Sequence, residues 1–136
     1  MSASFEEQYM GVLQNIEFAL VTVYRNNPKM NDHAALFVVE SLVKLYNAEA
    51  QGRAIASPQF QPHEQEAFDS VKALLDWRLG KQALVRDDGQ EISVGADTNT
   101  PAEIVACLKR IAKSIEGWAK RGGRRGYYEF VSQYVQ

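Results

Sequence analysis

One cysteine, Cys107, stands in the whole chain, so no intrachain disulfide can close and no thiolate cage for a metal can be assembled from one copy. Histidine is almost as scarce. His33 and His63 both fall near expected helix starts without a companion at ligand spacing, and two surface histidines are the simpler account. Long apolar runs are missing too. The clusters Phe18 to Val23 and Ala34 to Val39 are far shorter than the roughly 18 to 20 residues a membrane-spanning helix needs, and charges flank both. The first residues include Glu6 and Glu7 where a secretory leader would carry basic ones, so the expectation is a soluble, cytoplasmic protein. Charge of one sign is also lacking. With 15 basic against 17 acidic residues the balance is near neutral, which excludes a globally basic nucleic-acid binder and the charge excess of a disordered chain.

What is present is hydrophobic periodicity. A chain of 136 residues that is 46% hydrophobic can bury the core of one domain, and residues 1–136 are read as a single helical domain. Ser4 and Glu7 have capping-box spacing. From there Phe5, Tyr9, Val12, Leu13, Ile16, Leu20, Val23 and Tyr24 recur at intervals of three and four until Asn26-Asn27-Pro28. Phe18 and Val21 widen that stripe, which predicts burial on more than one side. Asn31 or Asp32 caps a second helix with core positions Leu36, Val39, Leu42, Val43, Tyr46 and Ala50, ending at Gly52. The few residues between these helices predict an antiparallel hairpin of neighbours. A third helix covers about 62–79, with Phe68, Val71, Leu74 and Leu75 inward. A fourth starts at Thr100-Pro101-Ala102-Glu103, buries Ile104, Val105, Leu108, Ile111, Ala112, Ile115 and Trp118, and ends at Gly122-Gly123. A short fifth helix is expected over about 127–135. Between the third and fourth, Asp88-Gly89 flanked by apolar residues is compatible with a small β-hairpin near residues 83–94. The fold expected is all-α, about five helices packed as an irregular bundle.

Catalytic signatures are weak. Neither G-x-x-x-x-G-K-[ST] nor G-x-G-x-x-G after a strand occurs, and Gly122-Gly123-Arg124-Arg125-Gly126 follows a helix. Cys107 borders an apolar face with no base beside it in sequence, the setting of an inert thiol. No cofactor, no metal site and no catalytic residue is expected. Arg78 is more informative, because it lies on the apolar row of the third helix, three residues after Leu75 and seven after Val71. Its stem should be covered, with the guanidinium either reaching solvent at the helix end or held against a carboxylate or ligand anion.

The electrostatic signal is concentrated. From Lys109 to Arg125 seven basic residues face Glu116 alone, a net charge of +6, which leaves −8 on the rest of the chain. Lys113, Lys120, Arg121, Arg124 and Arg125, with Tyr127 and Tyr128, form the expected anion- or partner-binding set, joined by Arg78. Arginine among aromatics suits phosphates and bases, whereas a solvated face with cations completing a helix C-terminus is the structural account. Arg124 and Arg125 precede the positive end of the fifth helix, where an anion or an internal carboxylate would offset them. The function expected is a small helical binding or adaptor module, more an interaction protein than an enzyme, engaging an acidic protein, a nucleic acid or a phosphorylated ligand through the fourth and fifth helices. The competing expectation is a small enzyme acting on an anionic substrate with Arg78 or the 121–125 arginines as clamp. Ser114 and Gly117 on one row of the fourth helix also allow a second helix to approach closely, and a homodimer is the expected form of such contact.

Overall fold

The computed structural model describes residues 4–81, 84–85, 88–92 and 98–123. Four helices account for most of them: α1 Phe5–Asn26, α2 Asp32–Ala50, α3 Pro62–Arg78 and α4 Pro101–Arg121. Two dipeptides, β1 Leu84–Val85 and β2 Glu91–Ile92, pair antiparallel with Leu84 opposite Ile92. The expected fifth helix falls outside the described residues. The class is all-α.

Each start is chemically specified. Ser4 Oγ accepts the Glu7 N–H at 3.2 Å, and Asn31 Oδ1 accepts that of Ala34 at 2.9 Å. At α3 the Glu64 carboxylate takes the Gln61 N–H at 2.7 Å with Pro62 as the first helical residue. At α4 the box is reciprocal: Glu103 accepts from Thr100 N–H at 2.7 Å and Thr100 Oγ1 from Glu103 N–H at 3.3 Å. These bonds satisfy N–H groups that a first turn leaves free. At the other end Gly122 and Gly123 carry positive φ, 154° and 65°, and Gly123 N–H reaches Trp118 O at 3.1 Å, which closes α4 where a side-chain-bearing residue would be strained.

The helices surround one core, but not in the arrangement expected. The close backbone approaches are α2 with α4, α1 with α3, α2 with α3, and α1 with α4, so α1 and α2 face each other across the core and are not side-by-side hairpin partners. The connection explains this. Met30, in the short link between them, is fully buried, and the Tyr24 hydroxyl donates to Asp32 Oδ1 at 2.7 Å, so the chain turns over the end of the core. Two other expectations fail locally. Phe18 is 56% exposed while Val21 beside it is buried, since α3 and α4 are the described elements that approach α1 closely; Ala50 is exposed, and Ala34, Ala35 and Val38 join Val39, Leu42 and Tyr46 on the inner face of α2. A second polar tie crosses from α2 to α3, where Tyr46 donates to Asp76 Oδ1 at 2.8 Å and Lys72 Nζ meets Asp76 Oδ2 at 2.6 Å. Phe60 fastens the 54–61 connection, its ring 5.2 Å from Phe37 and 4.9 Å from Phe68.

Candidate functional site

The residues singled out by charge separate into three places. Lys109, Lys113 and Lys120 lie along one exposed row of α4, at spacings of four and seven, and none has an ion-pair partner among the described residues. Two like charges one turn apart are mildly unfavourable. This row borders a groove of about 390 Å³ between α2 and α4, lined by Lys44, Lys109 and Lys113, by Glu40 and Glu116, and floored by Val43 and Ala112.

Arg121 belongs to the helix end. Its guanidinium lies 4.1 Å from the centre of the Trp118 ring, and its Nε donates to Gly117 O at 3.3 Å. Arg121 and Trp118 are therefore engaged with each other. Gly117 lies under the Arg121 side chain, and Ser114 donates to Arg110 O at 3.1 Å, so the small-residue row has local uses.

Arg78 is held elsewhere. Its Nε donates to Asn15 Oδ1 at 2.9 Å, and its guanidinium fills the space that a Cβ at Gly11 would need, so α3 and α1 approach here because position 11 has no side chain. The half-buried guanidinium is thus met by a neutral amide, with no carboxylate paired to it among the described residues. Neither of the two clefts described includes Arg78. Nearby Cys107 is fully buried, and burial foremost, with Glu103 adding to it and Arg78 opposing it, pushes its thiol up to about 12. Such a thiol is not a nucleophile at neutral pH. Arg124, Arg125, Tyr127 and Tyr128 lie outside the described residues. Next to them in sequence, a Cβ on Gly123 would stand 3.9 Å from Asp32 Oδ2, a buried oxygen without a hydrogen-bond partner.

One feature was missed by the sequence reading. Glu17, on α1, is 2% exposed, and its Oε2 has no hydrogen-bond partner. Burial pushes its carboxyl up to about 8. It lines a cleft of about 180 Å³ between α1 and α4, together with Glu6, Leu13, Arg110, Ile111, Lys113 and Ser114. At the rim Arg110 pairs with Glu6 and lies 5.9 Å from the Phe5 ring. The signal was in the register: Glu17 follows Leu13 by four and precedes Val21 by four, a carboxylate on an apolar row.

Among the described residues no group of three or more His, Cys, Asp or Glu side chains is placed to hold a metal ion, and no helix is long and apolar enough to cross a membrane. No protein-family model matches the chain, and no significant match was found among curated proteins or solved structures.

Proposed function

We propose that this protein is a binding module whose α2–α4 face takes an acidic peptide segment of a partner protein. The observation that supports this is the groove itself: Lys44, Lys109 and Lys113 outnumber Glu40 and Glu116 along its edges, the lysines without ion pairs among the described residues, over an apolar floor of Val43 and Ala112. An acidic segment with an apolar side chain uses both parts, with carboxylates on the lysines and the side chain on the floor. Its charges would also relieve the repulsion between Lys109 and Lys113. A nucleic acid is the poorer fit, because no aromatic side chain lines the groove among the described residues and the Trp118 ring is covered by Arg121. Lys120 and Arg121 extend the positive surface towards the end of α4, and Arg124 and Arg125 continue it in the sequence.

Fluorescence anisotropy of a labelled peptide alternating glutamate with leucine tests this reading. The unmodified protein should bind it with an affinity that falls as salt rises. Lys109→Glu combined with Lys113→Glu should abolish binding with little change in thermal midpoint. Salt-insensitive binding, or binding that survives the double reversal, contradicts the proposal, as does tighter binding of single-stranded DNA than of the peptide.

A further inference from the structure

The α1–α4 cleft poses a separate chemical question, because a carboxylate is rarely buried without a partner. Oε2 of Glu17 accepts nothing and donates to nothing, and the residue lines a cleft of about 180 Å³. Desolvation is the one cause behind the raised affinity of this carboxyl for its proton; neither Arg110 nor Lys113, which face the same cleft from α4, lowers it. Both cations are exposed residues of α4 and stand at the mouth of the cleft. Of the two, Arg110 is already neutralised by Glu6, whereas Lys113 has no ion pair among the described residues.

These positions define a complement. The floor offers an unpaired acid, the rim an unpaired ammonium, and the walls two aliphatic side chains, Leu13 and Ile111. A bare amine would meet Glu17 but be repelled by Lys113. A bare carboxylate would meet Lys113 but leave Glu17 unsatisfied. We infer that the cleft between α1 and α4 is a binding site for a small zwitterion of the aliphatic amino-acid class, its ammonium on Glu17, its carboxylate on Lys113 and its side chain between Leu13 and Ile111. The Ser114 oxygen, whose proton goes to Arg110 O, stands at the same wall as an acceptor. Pairing with an ammonium requires the ionised form of Glu17. Below pH 8 binding therefore releases a proton from Glu17 to solvent, and the bound pair carries the charges that the empty cleft avoids.

Isothermal titration with L-leucine at pH 7, in two buffers of different ionisation enthalpy, tests the site. The expected result is saturable binding with release of close to one proton per ligand. 4-Methylpentanoate, which lacks the amine, and 3-methylbutylamine, which lacks the carboxylate, should each bind at least about ten-fold more weakly, the loss of one charged hydrogen-bonding contact. Glu17→Gln keeps the shape and removes the charge, and its fold can be verified by circular dichroism. This variant should also lose at least about ten-fold in affinity, and its residual binding should release no proton. Absence of saturable binding of L-leucine at millimolar concentration, equal binding of the amine alone, or unchanged binding by Glu17→Gln overturns the inference. Lys113 borders both the cleft and the α2–α4 groove, but position 17 lines only the cleft, so the Glu17→Gln arm leaves the acidic-peptide reading untouched.

Discussion

Among the buried polar groups Glu17, Tyr46 and Asp76 each have a measurable consequence. With an ordinary carboxyl value of 4.5 in the unfolded chain and about 8 in the fold, Glu17 holds a proton in the native state that the unfolded state gives up between those limits. Stability from this group is therefore fully present below pH 4.5 and is lost as pH rises through 8, with a slope of up to about 1.4 kcal/mol per pH unit in that window. Glu17→Gln should flatten the slope and raise the thermal midpoint at pH 8; a midpoint that falls equally with pH in both proteins would show that Glu17 is not the titrating group. Tyr46 behaves differently. Burial, followed by Asp76 and Glu49, holds its phenol above the usual range, so it remains a hydrogen-bond donor at any pH at which the protein folds. Asp76→Ala deprives that buried hydroxyl of its 2.8 Å acceptor and should cost about 1–3 kcal/mol in chemical denaturation, and Tyr46→Phe less. An Asp76→Ala cost below a few tenths would mean that the Lys72 carbonyl, 3.5 Å from the same hydroxyl, suffices.

At the level of elements, the sequence was most legible where local chemistry decides the outcome. Thr100-Pro101-Ala102-Glu103 names its own helix start, and the observed bonds are those the spacing demands. The inner face of α4, from Ile104 to Ile115, follows directly from periodicity. Thr100→Ala removes one half of the box and should lower stability by about 1 kcal/mol, with accelerated amide exchange confined to the first turn of α4; exchange unchanged there would contradict the capping role. Legibility ended where a side chain's fate depends on which helix lies opposite. Phe18 and Ala50 were placed by period alone, yet which flank of α1 or α2 is covered depends on packing across the core, and no spacing within one helix contains that. The same holds for the link around Met30, whose shortness suggested neighbours while its burial turns α2 to the far side of the core.

Taken as a whole, the molecule places its charges unevenly, and the candidate site was legible only in part. The excess of cations on α4 was visible as a run in the sequence, but their sorting was not. Arg110 goes to Glu6 on α1, Arg121 to Trp118 one turn back on the same face of α4, Lys109 borders the α2–α4 groove, and Lys113 borders both that groove and the α1–α4 cleft, and apart from the Trp118 contact these partners come from elements distant in the chain. Arg78 and Glu17 illustrate the same point from within, since each lies on an apolar row and only packing reveals that the first meets Asn15 and the second a cleft. The measurement that bears most directly on the account is a nitrogen-edited NMR titration of the protein with the acidic leucine-containing peptide at low salt. Amide shifts that saturate together and cluster at Val43, Lys44, Lys109, Ala112 and Lys113 are the predicted result, whereas shifts spread evenly over the surface, centred on other residues, or absent would contradict the claim that the α2–α4 groove is where this protein binds its partner.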